Sequence, residues 1–274
     1  MKIGVDLGGT NIRAGLMDGT ELIRKEKVSC PAQGSESEVI EAVAGLIGKL
    51  VSEDVDAIGN GVPSVVDTAK GKVYNVANIP SWVEVHLKDI LEERFDIPVF
   101  INNDSNCFTL GESRFGAGKE YKDMVGVTLG TGVGSGIMIG GHLYEGRNAG
   151  AGEIGCLTYL DKDFESYCST PFFVSHNTSG AGLAARAEAG DAEAIALWDE
   201  FGGHIGELVK AILFAYDPEA IVFGGGIAAR HPHFEKAMRR TIETFPYETG
   251  KDVKIFFSDN GDMAIYGASE LCRK

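Results

Sequence analysis

One strand-and-turn pattern is written twice in this chain. Ile3-Gly4-Val5-Asp6-Leu7-Gly8-Gly9-Thr10 opens the sequence, and Val125-Gly126-Val127-Thr128-Leu129-Gly130-Thr131-Gly132 repeats it where the second half begins. Each apolar run ends in a Gly/Thr turn and re-enters a strand through small residues. These are Ala14-Gly15-Leu16-Met17 in the first copy and Gly134-Ser135-Gly136-Ile137-Met138 in the second. Turns of this kind point backbone N–H groups inward, and without a Cβ in the way they admit a phosphate group. The duplication limits the fold to two similar halves. Two phosphate-holding turns point to a nucleoside triphosphate gripped from both sides of a cleft.

The elements that follow each copy also run in the same order. Residues 2–7, 12–17 and 21–29 read as antiparallel strands, with Asp18-Gly19 as a hairpin turn. Val39, Ile40, Val43, Leu46, Ile47 and Leu50 recur at helical spacing within 36–52. A strand over 56–62 ends at Pro63, and a helix over 84–95, a strand over 98–102 and a helix over 104–115 follow. The second half predicts strands at 123–129, 134–140 and 142–145, then an irregular stretch over 147–180. Helices over 180–188 and 191–216, a strand over 220–223, a helix over 232–245, a strand over 252–257 and a last helix over 262–273 complete it. Each half is therefore an α/β unit, a mixed sheet with helices on its faces. At 274 residues the chain has room for two such domains, each with its own core. The expected division is a smaller domain over 1–110 and a larger one over 111–261, with the helix over 262–274 packing back on the first.

Charge and cysteine usage exclude several partners. A net charge of −15 repels nucleic acid and anionic membranes, so neither is expected. The five cysteines are odd in number and scattered, without a CxxC pair, which fits a reducing compartment. No leader pattern and no apolar run long enough for a membrane span is present, and a cytoplasmic location is expected.

Four motifs carry chemistry. Asp6, at a strand end beside Gly8, Gly9 and Thr10, is suited to hold Mg²⁺ through water while the turn holds phosphate. Neither copy fits the G-x-G-x-x-G or G-x-x-x-x-G-K-[ST] pattern, which disfavours a dinucleotide fold or P-loop. Asn102-Asn103-Asp104-Ser105-Asn106 closes a strand and opens a helix, at the sheet edge where α/β proteins bind ligands. An Asp there can take a proton from a substrate hydroxyl and an Asn can hold a neighbouring one, although one such residue is explained by helix capping alone. Glu153, flanked by Gly150-Ala151-Gly152 and Ile154-Gly155, suits a loop closing on a polyol. Gly224-Gly225-Gly226 ends a buried strand where backbone can approach a flat ligand such as adenine.

Together these segments resemble the ROK family of sugar kinases and repressors, within the actin/hexokinase/Hsp70 superfamily. The resemblance runs nearly end to end and includes Gly61-Val62-Pro63, Asn78-Ile79-Pro80-Ser81-Trp82 and Ala151-Gly152-Glu153-Ile154-Gly155. It implies two duplicated ribonuclease H-like, actin-like ATPase domains around a central cleft, ATP with Mg²⁺, a hexose substrate and a homodimer. By position Asp104 resembles the catalytic base, and Asn103 and Glu153 the sugar-hydroxyl ligands. Asn78, Pro63 and Ser64 would border the sugar. Gly8, Gly9, Thr10, Asn11, Thr131 and Gly132 would hold the nucleotide phosphates, and Gly225 and Gly226 would lie by the adenosine.

The chain departs from the family where most members carry a zinc-binding His and cysteine cluster ending in a sugar-binding Glu. Cys156 takes the His position, only Cys168 of the cysteines survives, and Thr170 stands near the Glu position. Cys156, Cys168 and His176 supply at most three ligands where structural zinc takes four, so zinc is not expected. The expected activity is ATP-dependent phosphorylation of a hexose, glucose at the 6-hydroxyl first. N-acetylmannosamine and N-acetylglucosamine are the alternative acceptors, and a catalytically weak sugar-binding or regulatory protein is the alternative of another class. A repressor is disfavoured, because only five residues precede Asp6 and no DNA-binding segment is found there.

Overall fold

The computed structural model describes residues 1–147 and 149–272. Two compact units divide the chain. The first comprises Met1–Glu120, Gly136–Ala151 and Asp262–Lys274, and the second Tyr121–Ser135 and Gly152–Gly261. The first unit runs past residue 110, where the division was expected, and takes in Gly136–Ala151 besides the C-terminal segment expected to join it.

In the first unit, β1 (Lys2–Leu7), β2 (Asn11–Asp18) and β3 (Glu21–Ser29) form an antiparallel meander. Helix α1 (Glu36–Gly48) starts at a capping box, in which Ser35 and Glu38 satisfy each other's backbone N–H groups. It buries Val39, Ile40, Val43, Ala44, Leu46 and Ile47, the apolar stripe that the spacing predicts. Strand β4 (Ala57–Val62) lies parallel to β1. Three short strands, β5 (Val66–Asp67), β6 (Lys72–Tyr74) and β7 (Glu84–Val85), form a separate small sheet. The helix expected over 84–95 therefore starts later, as α2 (Leu87–Phe95), because Glu84 and Val85 pair with Tyr74 and Val73. Strand β8 (Val99–Asn103) runs parallel to β4 and leads directly into α3 (Asp104–Phe115).

The second copy of the pattern gives β9 (Met124–Leu129), β10 (Val133–Ile139) and β11 (His142–Leu143). The stretch expected to be irregular holds a hairpin, β12 (Thr158–Tyr159) with β13 (Lys162–Asp163), and two short helices, α4 (Phe164–Cys168) and α5 (Thr170–Ser175). Helices α6 (Gly180–Glu188) and α7 (Ala192–Tyr216) follow, each capped by a side chain, from Ser179 and Asp191. Strand β14 (Ala220–Gly224) pairs in parallel with β9 and with β15 (Lys254–Phe257). Helices α8 (His231–Ile242) and α9 (Glu248–Lys251) lie between β14 and β15. The core of this unit is aromatic, with Phe173, Trp198, Phe201, Phe223 and Phe234 all fully buried.

The two five-stranded sheets share one order, β3-β2-β1-β4-β8 and β11-β10-β9-β14-β15. That is the duplication read from the sequence, and it is the actin-like ATPase fold with its mixed sheets and helices. The last helix, α10 (Met263–Glu270), belongs to the first unit and packs on α3, β1 and β4. It had been expected to extend to 273 or 274, positions outside the described residues. The packing is flush, since a Cβ on Gly59 would lie 1.7 Å from the Ala268 carbonyl oxygen, and one on Gly267 1.7 Å from that of Cys107. Among the described residues no helix is long and apolar enough to cross a membrane.

Candidate active site

In the first unit the register of three strands assembles one edge. Asp6 pairs with Gly61, and Gly61 with Asn102. The ends of β1, β4 and β8 therefore lie in a row, which puts Asp6 two strand spacings, roughly 10 Å, from the start of α3. Gly61 keeps the middle of the row low, because a Cβ there would stand 3.4 Å from the Asp104 Cα and 3.1 Å from the Cys107 sulfur.

The first turn is tight, with the Gly8 N–H donating to the Asn11 carbonyl at 2.9 Å and the Thr10 carbonyl accepting from Cys30 N–H at 2.9 Å. Asn78 lies against it, and a Cβ on Gly9 would come within 2.8 Å of the Asn78 Cβ. Asp6 is almost buried and ion-paired. Arg13, which pairs across the hairpin from it, brings Nε to 3.0 Å and Nη2 to 2.5 Å of the same carboxylate oxygen, Oδ2. The other oxygen accepts no hydrogen bond from the described residues. Arg13 Nη1 also reaches Asp262 at 3.6 Å, and Lys25 holds that carboxylate at 2.6 Å. One carboxylate oxygen beside a phosphate turn fits Mg²⁺, which keeps several waters and takes one or two protein carboxylates besides phosphate oxygens. Among the described residues no three His, Cys, Asp or Glu side chains converge on one metal position.

At the head of α3 the four polar side chains have different employments. Asn103 is the N-cap, its Oδ1 accepting from Ser105 N–H at 2.8 Å and Asn106 N–H at 3.2 Å, while its Nδ2 donates to the Ser64 carbonyl at 3.3 Å. Its side chain is thus engaged by the chain itself, on both atoms. Asn102 and Asn106 are buried and bonded to each other at 3.0 Å. Asp104 stays partly exposed, its Oδ1 accepting from the Ser105 N–H at 2.7 Å. Ser64 donates its hydroxyl to the Tyr74 carbonyl, which ties the segment after Pro63 to β6. Beside it opens a cavity of ≈ 380 Å³ lined by Val65, Val66, Thr68, Tyr74 and Arg147 among others.

The second unit carries Thr131, Gly132, Glu153, Gly225 and Gly226. Its Gly/Thr turn is buttressed by Thr170 and by two residues to which the sequence reading gave no role, Glu165 and Ser169. Glu165 Oε2 accepts from Val133 N–H at 3.1 Å and leaves no room for a Cβ on Gly132, which would meet it at 2.2 Å. The Ser169 hydroxyl donates to the Glu165 carbonyl at 2.6 Å and lies 3.3 Å from that of Thr131, and Thr170 closes on the Gly130 carbonyl through its hydroxyl at 2.8 Å and its N–H at 3.0 Å. Thr170, read as standing near a sugar-contacting position, is bonded to the Gly/Thr turn. Gly225 adopts φ of 93°, and a Cβ there would lie 2.4 Å from the Leu129 carbonyl, so only glycine fits. A Cβ on Gly226 would meet nothing within 4 Å, which leaves open backbone for a planar ligand.

Glu153 is exposed at the residue level, yet desolvation of its carboxyl, with the charge of Glu165 adding, raises its pKa above the ordinary glutamate value. Cys156 is exposed and its thiol is raised by desolvation first and by Glu153, Glu165 and Asp163 after it. Cys168 is fully buried among apolar side chains, and the His176 ring nitrogen Nδ1 lies 2.8 Å from the Phe172 carbonyl.

The comparisons with known proteins agree in direction. The family model described as ROK family matches residues 2–274. The chain is 30% identical to the glucokinase of Halalkalibacterium halodurans over 89% of its own length and 85% of that protein's. It is 29% identical to an N-acetyl-D-glucosamine kinase of Salmonella heidelberg, over 83% of this chain and 84% of the other. Among solved structures, a ROK family glucokinase of Streptomyces griseus in complex with glucose and AMPPNP superposes with a TM-score of 0.85 at 28% identity, covering 99% of both chains.

Proposed function

The chain belongs to the ROK family and is a sugar kinase, and from that premise we propose that it phosphorylates glucose at the 6-hydroxyl with ATP, Asp104 acting as general base. The observation that carries this reading is the single sheet edge that holds Asp6, Gly61 and the head of α3 in register. A metal-suited carboxylate and a proton-accepting one then stand about 10 Å apart, room for the phosphoryl group and the hydroxyl that attacks it.

Asp104 takes the hydroxyl proton as the oxygen attacks the γ-phosphate in line. Phosphoryl transfer asks the protein mainly for positioning and charge neutralisation. Gly8, Gly9, Thr10 and Asn11 in one turn, and Thr131 and Gly132 in the other, offer backbone N–H groups and hydroxyls to the phosphate oxygens. Asp6 would hold Mg²⁺ through water, and the ion would neutralise phosphate charge. Gly225 and Gly226 offer flat backbone to the adenosine. Asn78, Pro63, Ser64 and Glu153 contact the sugar, with Glu153 as a hydrogen-bond acceptor. Asn103 caps α3 through its Oδ1 and offers the second N–H of its Nδ2 to a sugar hydroxyl.

A second acceptor class, N-acetylmannosamine or N-acetylglucosamine, is favoured by the cavity beside Ser64. Its aliphatic walls and the donors of Thr68, Tyr74 and Arg147 suit an acylamino group. ADP release measured over glucose, mannose, fructose, allose and the two N-acetylhexosamines decides between them. Sugar-free ATP hydrolysis equal to the best sugar-stimulated rate would sink the kinase mechanism. Assembly as a homodimer is part of the same reading, and native mass tests it.

A further inference from the structure

We propose that Glu145 is a positioning residue for the sugar-phosphorylating edge, acting through Asn102 on the head of α3. The inference rests on the reading of Asp104 as the base. Asn102 is the last residue but one of β8, with only 3% of its surface exposed. Its Nδ2 donates to Glu145 Oε1 at 2.6 Å, a short charge-assisted bond across 43 residues of sequence. Its Oδ1 accepts from the Asn103 backbone N–H at 2.8 Å and from Asn106 Nδ2 at 3.0 Å.

A primary amide can be turned end for end with little change of shape, so its neighbours decide which way it faces. The Glu145 carboxylate accepts only, and it therefore selects the orientation that sends Nδ2 toward itself. The opposite orientation would set the amide oxygen against the carboxylate and the NH₂ against the Asn103 N–H, two repulsions in a buried place. With Asn102 fixed, the Asn103 N–H is fixed, and Asn103 in turn caps the helix whose first residue is Asp104. Glu145 also holds its own loop, since its carbonyl accepts from Ala151 N–H at 3.2 Å. The bonds of this relay run between Glu145, Asn102, Asn103 and Asn106 and lead to the head of α3, so its loss should be felt on the sugar side.

The test is steady-state kinetics on Glu145→Ala, Glu145→Gln, Asn102→Ala and the Glu145→Ala/Asn102→Ala double variant, with Asp104→Asn alongside. Glu145→Ala should lower kcat/KM for the sugar at least tenfold while leaving KM for ATP within twofold, since small misplacements of a reacting group are costly. Glu145→Gln keeps an acceptor oxygen but can also donate, so it should restore part of the loss and not all of it. The double variant should be no worse than the worse single one, as expected of residues acting in one chain. A general loss of folding would shrink the active fraction, lowering apparent kcat at unchanged KM for both substrates, and would show as a lower unfolding midpoint, so thermal unfolding of each variant is measured alongside. If Asp104→Asn is inactive but Glu145→Ala keeps wild-type kcat/KM, or if the two alanine effects add, the relay is overturned and the base assignment stands. If Asp104→Asn turns over normally, the base assignment fails and the relay falls with it.

Discussion

Arg13 rests two of its nitrogens on one oxygen of Asp6, at 3.0 and 2.5 Å, and leaves the other oxygen unbonded. The pair splits the carboxylate into a structural half and a free half. Arg13→Met should therefore act twice. It should cost about 1–3 kcal/mol in urea unfolding, because a nearly buried charge loses its partner, and it should raise KM for MgATP by letting the free oxygen wander. The combination with Asp6→Asn should cost less than the sum of the single changes. Strict additivity in that double-mutant cycle would show that the pair does not act as a unit.

Asp104→Asn keeps the shape and the acceptor oxygen of the side chain but cannot hold the proton. The expected loss in kcat is about 10²–10⁴, the usual worth of a positioned base. Sugar binding, read by calorimetry with a non-hydrolysable nucleotide, should stay within a few-fold of wild type. Turnover near wild type would rule out the assignment.

Glu165 lies on the Gly/Thr turn of the second unit. Its carboxylate holds the Val133 N–H just after Gly132, 32 residues from it in sequence. Glu165→Ala removes one charge-assisted bond worth about 1.5–3 kcal/mol in such settings, and the turn should loosen. KM for ATP is expected to rise about tenfold with KM for the sugar little changed. An equal rise in both would argue against a role confined to the turn.

The pH dependence follows from Glu153. Its pKa is raised by desolvation first and by Glu165 second. A raised acid keeps its proton to a higher pH, so the hydroxyl-accepting carboxylate is lost on acidification earlier than for a glutamate at about 4.3. The acid limb of kcat/KM for the sugar should lie above that value. Glu153→Gln should flatten the limb and reduce kcat/KM about tenfold at neutral pH. A limb unchanged in the variant would assign the titration to another group.

Much of this was legible because turn chemistry is local. Asp6-Leu7-Gly8-Gly9-Thr10 and Leu129-Gly130-Thr131-Gly132 state their conformation in adjacent residues, and their repetition states the duplicated fold. The polar run at Asn102–Asn106 was legible as a place but not as roles. Sequence shows four amides and acids, not that Asn103 is consumed as a cap and that Asn102 and Asn106 are buried against each other. Glu145 and Glu165 carry no local signal, since each arrives from a distant segment. The strands at Val66–Asp67, Lys72–Tyr74 and Glu84–Val85 are too short for a period-two pattern to register.

The flush seating of α10 on Gly4, Gly59 and Gly111 has a bearing on how the molecule is made. Synthesis delivers β1 and β4 early and the helix that covers them last, after the whole of Tyr121–Ser135 and Gly152–Gly261. The first unit therefore cannot close until the second has been made. Until then its glycine-floored groove stays uncovered, which makes it the part of the nascent chain with most need of a chaperone's shelter.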